Sequence, residues 1–197
     1  MSDEANRAGW QDEVESYVRQ EQDRLKDRTN DSPPGLIEVL EGEDIYLAML
    51  AARRLGELRA EEAIEPLIRV LGTSDETLLV ATCCIVLGTM GDRRAVVLLV
   101  ELLERAEARA DAEVTLRFTG PTGIRDRLFR LMCGRWLREI RASSRENVRV
   151  VYILWAMYAL EAIRDSQAVE PIRKRLADPD ERIQARAQKA LASLGAA

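Results

Sequence analysis

The 197-residue chain carries 29 basic and 34 acidic side chains, a formal charge of −5, three cysteines and no histidine. That length fits one domain, or at most two small ones, and is enough to bury a sizeable core. The missing imidazole excludes Ser-His-Asp and Cys-His nucleophile systems and the common zinc, haem and non-haem iron sites.

Residues 1–32 read as an acidic N-terminal helix or arm. Trp10, Val14, Tyr17, Val18 and Leu25 fall along one helical face, with acids and arginines elsewhere. The segment has neither a basic start nor an apolar core of signal-peptide type, so no signal peptide is expected. Cys83, Cys84 and Cys133 make no disulfide framework and no CxxC spacing, which points to a reducing, cytoplasmic location. Asn30 to Gly35 (NDSPPG) reads as a turn or linker into the remaining chain, 33–197.

From there four segments share a register: Leu36 to Leu40, Ala63 to Leu71, Ala95 to Leu103 and Ala168 to Leu176. Each reads as a short amphipathic helix. In three of them an aspartate stands four residues beyond the last leucine (Asp44, Asp75, Asp180), where a carboxylate can accept hydrogen bonds from the free N–H groups of a following helix. The second helices place Leu55, Leu87 and Leu191 in equivalent positions, and Leu55 to Leu87 is a step of 32 residues. One helical hairpin per repeat is therefore expected, and each buries its apolar stripe only by stacking on its neighbours.

The pattern of Asp, small residues at helical spacing (Ala51, Ala52; Ala81, Cys84; Ala187, Ala190), then LG, then A-[IV]-x-P resembles the HEAT-like repeats of the phycobilisome-lyase type. Asp44 to Arg69, Asp75 to Leu103 and Asp180 to Gly195 carry it, with AVEP at Ala168 to Pro171 matching AIEP at Ala63 to Pro66. The resemblance implies an all-α solenoid of about four hairpins and a use in binding. It also brings two other functions of such repeats into view: nucleic-acid binding, including the DNA glycosylase type, and accessory work in bilin chromophore attachment.

The third hairpin departs from the pattern. Beyond Leu103 the next good helix start is Asn147, leading into an apolar helix with Leu160 in the repeat-leucine position. Residues 104–146 are read as a basic helical insertion within the third repeat, with a degenerate fifth repeat as the alternative. Charge supports a distinct element: residues 1–32 sum to −4, 33–104 to −7, 105–149 to +5 and 150–197 to +1. Pro121 to Arg141 reads as one helix, with Ile124, Leu128, Leu131, Met132, Trp136 and Ile140 on a broad apolar face. Arg127, Arg130, Arg138 and Arg141 fall in an arc of about 80° on another face.

Those arginines fit an acidic protein surface, a polyanion such as nucleic acid, or nearby acids such as Glu101 and Glu104. Arginine outnumbers lysine 26 to 3 over the whole chain, so the bias is not local to this helix. Val150 to Leu160 is apolar on every side, which requires cover on every side. The insertion helix would supply it, or Tyr152, Trp155 and Tyr158 line a groove for a partner helix or a second copy. That run is too short to span a bilayer, so no membrane partner is expected. TGPTG at Thr119 to Gly123 lacks the lysine and spacing of a phosphate loop, and Glu61/Glu62 and Asp178/Asp180 fall in turns and caps. With no defensible catalytic constellation, cofactor or metal site, the sequence reads as a non-enzymatic scaffold or adaptor. Its expected partner-binding residues are Arg127, Arg130, Arg138, Arg141, Trp136, Tyr152, Trp155 and Tyr158.

Overall fold

The computed structural model describes Ser16 and residues 18–106 and 145–196. A first helix, α1, covers residues 18–29. Four hairpins follow: α2 (Pro33–Leu40) with α3 (Ile45–Glu57), α4 (Ile64–Thr73) with α5 (Thr77–Met90), α6 (Val96–Glu104) with α7 (Arg145–Ile163), and α8 (Val169–Lys174) with α9 (Glu181–Ser193). No strand occurs among the described residues. The protein is an all-α solenoid, as expected.

Local chemistry sets most helix ends. Asp44 caps α3 by accepting from the N–H groups of Tyr46 and Leu47, and Asp180 caps α9 through the N–H of Arg182. Asp75 does not cap α5: that helix starts two residues later, with Glu76 in the cap position making no side-chain cap bond. Ser74 Oγ instead accepts the Glu76 N–H at 3.2 Å. Asn147 lies inside α7 rather than ahead of it, since that helix begins at Arg145. The linker expected to run to Gly35 is also shorter, because Pro33 and Pro34 open α2, where first-turn N–H groups have no intrahelical partner to lose.

The A-[IV]-x-P motif takes a definite shape. Short 3-10 turns at Glu61–Ala63, Arg93–Ala95 and Ser166–Ala168 lead directly into α4, α6 and α8. Their last residues, Ala63, Ala95 and Ala168, are fully buried. Four residues beyond each repeat leucine the backbone turns left-handed, at Arg59, Gly91, Arg164 and Gly195, closing the second helix of every hairpin.

The hairpins stack in two rows. First helices α2, α4, α6 and α8 contact one another in succession, as do second helices α3, α5, α7 and α9, and each first helix packs on its own second helix. α6 and α7 pair in this way although residues 105–144 lie between their ends. Leu55, Leu87 and Leu160 are fully buried between the rows, each contributing about 2 kcal/mol of hydrophobic stabilisation.

Glycine after the repeat leucine lets second helices approach closely. A β-carbon on Gly56 would meet Val86 at 2.9 Å, and one on Gly88 would meet Ala159 at 2.8 Å. In the third hairpin Glu161 takes that position, and its carboxylate pairs with Arg186 of α9 instead. α9 turns Ile183, Ala187, Ala190 and Leu191 inward and leaves Glu181, Arg182, Gln188 and Lys189 exposed.

Candidate interaction surface

α7, like α5, is only weakly amphipathic in sequence, and its neighbours explain why. It is flanked by α5, α6 and α9, so three of its sides face protein. Val150, Ile153, Ala156, Met157, Ala159 and Leu160 are buried there. The three aromatics proposed to share a groove do not share a face. Tyr152 is buried, its hydroxyl 3.3 Å from Thr77 Oγ1 of α5, and so belongs to the core. Trp155 is half-buried against the core, and Tyr158 is 41% exposed.

Trp155 and Tyr158 meet edge to face, with ring centroids 5.8 Å apart and planes at 79°. The Arg186 guanidinium stands 5.5 Å from the Tyr158 ring centroid while it pairs with Glu161. An aromatic pair, a cation and a carboxylate thus form one small cluster joining α7 and α9. Arg127, Arg130, Trp136, Arg138 and Arg141, together with residues 107–144 of the expected 104–146 insertion, lie outside the described residues. So do Trp10, Val14, Tyr17 and Cys133.

A buried ion cluster on α7 and the α8–α9 turn went unseen in the sequence. Asp178, placed in an interhelix turn by pattern alone, has a side chain only 2% exposed and accepts from Arg149 of α7 at 2.5 Å. Arg175 lies 3.4 Å from the same carboxylate oxygen and also donates to the carbonyl of Leu103 in the last turn of α6. The Asp180 N–H donates to Asp178 Oδ1 at 3.1 Å, and Gln184 Nε2 to the Asp178 carbonyl at 2.6 Å. One carboxylate therefore ties α7 to the α8–α9 turn, and Arg175 carries the link on to the end of α6. Arg149 immediately before an apolar run was the one available signal.

Elsewhere, ion pairs link successive repeats across the surface: Glu41 with Arg69, Glu65 with Arg94 at 3.2 Å, Arg93 with Asp165 at 3.4 Å and Glu104 with Lys174 at 3.4 Å. Asp165 is buried, and the exposed pairs among these each add about 0–1 kcal/mol. Many arginines in the described residues therefore pair with acids of their own chain.

Between α1 and α3 lies a cleft of about 340 Å³, lined from α1 by Gln22, Asp23, Leu25 and Lys26 and from α3 by Leu50, Arg53, Arg54 and Glu57. Asp31 also borders it and takes two hydrogen bonds from Arg54, which hold its carboxyl below the usual carboxylate range. Burial pushes the Cys83 thiol up to about 12, so it is neither nucleophile nor ligand at neutral pH. Among the described residues no cluster of cysteine and acidic side chains is placed to hold a metal ion, and no helix is long and apolar enough to cross a membrane.

Comparison with known proteins agrees with this architecture. The family model for HEAT repeats matches residues 33–117, which take in α2 to α6. The model for the PBS lyase HEAT-like repeat matches residues 154–178, which include AVEP at Ala168 to Pro171. No curated protein matches the chain.

Proposed function

The chain is a HEAT-like repeat protein, and from that membership we propose that it is a non-enzymatic scaffold that binds a protein partner through the basic insertion and the adjoining face of α7. HEAT repeats generally serve in protein interaction and scaffolding, which stacked hairpins favour because they present long continuous surfaces. The observation that carries the reading is Tyr158. It is exposed on a helix that is mostly buried from Arg149 to Ile163, with Trp155 at its ring edge and Arg186 over its face. Tyrosine, tryptophan and arginine dominate the energetics of protein interfaces, because they bury large areas while keeping a polar group paired. The four insertion arginines and Trp136 complete the proposed surface on the strength of their sequence alone, with acids on the partner as their complement.

Quantitative affinity capture from a native lysate tests this with two variants, Tyr158→Ala and the combined Arg127, Arg130, Arg138 and Arg141 to Glu. Both are expected to deplete the same captured protein. A partner recovered undiminished by both variants removes this surface from the proposal.

A further inference from the structure

α1 is fastened to the solenoid unevenly. Its inward stripe is Val18, Glu21, Leu25 and Thr29, a helical spacing in which three members suit a packed face and one does not. Glu21 is 5% exposed, and its Oε2 is buried without a hydrogen-bond partner. The nearest cation is Arg24 at 3.7 Å, which itself points largely into water. A carboxylate oxygen buried with no hydrogen-bond donor and only a distant, solvated cation opposes docking, because undocking returns it to water.

The other end of α1 is tied down. Thr29 Oγ1 donates to the Leu25 carbonyl at 2.8 Å and accepts the Asp31 N–H at 3.2 Å, and Ser32 Oγ donates to the Thr29 carbonyl at 2.7 Å. Asn30 and Asp31 are consecutive left-handed residues, with φ of 50° and 54°, so the chain turns back sharply just there. That turn aims Asp31 at Arg54, and the two side chains lock through Nε at 2.7 Å and through Nη2. Between the tied end and Glu21, a cleft opens between α1 and α3.

We infer that α1 is a releasable strap over α3, hinged at Asn30–Asp31, latched by the Asp31–Arg54 pair and biased toward opening by the buried Glu21 carboxylate. Opening is a local event that leaves the hairpin stack intact. It uncovers Leu50, which shares the cleft with Leu25, and releases Arg54 Nε and Nη2 while Nη1 keeps its bond to Glu57.

Hydrogen exchange followed by mass spectrometry on the full chain at neutral pH tests the strap. In the parent protein, α1 is expected to exchange at least a hundredfold faster than α5. Glu21→Leu, which leaves helix propensity nearly unchanged, should slow exchange in α1 about tenfold and leave α5 as it was. Asp31→Asn keeps a side chain that tolerates the left-handed turn and should speed α1 about tenfold, again without effect on α5. Exchange of α1 at the rate of α5, or no slowing in Glu21→Leu, overturns the inference. A change in Asp31→Asn spread equally over α1 and α5 overturns it as well.

Discussion

Gly88 of α5 lies so close to Ala159 of α7 that a β-carbon on the glycine would stand 2.8 Å from the Ala159 Cα. The obstacle is backbone, which cannot swing aside. Gly88→Ala should therefore lose about 1–3 kcal/mol by urea unfolding despite the gain in helix propensity. Gly56 meets only the Val86 side chain, with its Cγ1 at 2.9 Å, so Gly56→Ala should cost clearly less. Equal losses at the two sites would show that the backbone contact at Gly88 is no more restrictive than the side-chain contact at Gly56.

Asp178 holds the third and fourth hairpins together from a buried position. Asp178→Ala strands Arg149 without this carboxylate, and the expected loss is about 3 kcal/mol. Replacing both partners by apolar residues, Arg149→Met with Asp178→Leu, should restore part of it, because the Arg149 charge goes with its carboxylate while Arg175 still loses this contact. Denaturant midpoints for Arg149→Met, Asp178→Leu and the double give the coupling directly.

The left-handed residues closing the second helices are glycine in two hairpins and arginine in the others. Arg59 and Arg164, with φ of 50° and 58°, bear a steric cost that Gly91 and Gly195 avoid. Arg59→Gly and Arg164→Gly should each stabilise the protein by about 0.5–1 kcal/mol, seen as a rise in Tm. A fall in Tm for both would mean that these side chains contribute more than the backbone strain removes.

Acid should weaken the fold over a narrow range. Asp31, Asp92 and Asp180 have their carboxyls lowered, first by hydrogen bonds from Arg54, Arg94 and Arg182 respectively, with partial burial opposing. A lowered folded-state value means stability that is fully present above the unfolded value of about 3.9 and is lost as pH falls through the folded one. Glu76 is raised, by burial and then by Asp75, so it offsets a little of that loss. The Tm should stay level from pH 7 to about 5 on account of these groups and drop below about pH 4.

Cys83 and Cys84 should resist alkylation at pH 8 until the protein is unfolded. Both are fully buried, and the Cys83 thiol stays protonated there. Native labelling of either, read by peptide mass spectrometry, would reveal opening of α5.

How far the fold was legible follows from which interactions are local. Asp44 and Asp180 each cap a helix two or three residues away, so a short pattern was enough to find them. Asp75 failed as a cap because α5 starts at Thr77, which puts Glu76 in the cap position, while Ser74 takes the Glu76 N–H. The repeat leucines, the small residues beside them and the left-handed closures recur in register. That register specified hairpins and their stacking from the sequence alone.

Direction across the stack was a different matter. Tyr152 and Tyr158 are six residues apart, which at 100° per residue puts them about 120° apart around α7. Only the placement of α5, α6 and α9 decides that the first meets Thr77 in the core and the second meets solvent beside Arg186. Asp178 likewise looked like one more turn acid, and its burial depends on Arg149, 29 residues earlier, and on the end of α6 beyond that. The sequence by itself determined an all-α repeat whose hairpins must stack, because periodicity and capping act within a few residues. Which aromatic became surface and which acid became buried was decided by the tertiary structure, because burial is set by helices that neighbour in space and are distant along the chain.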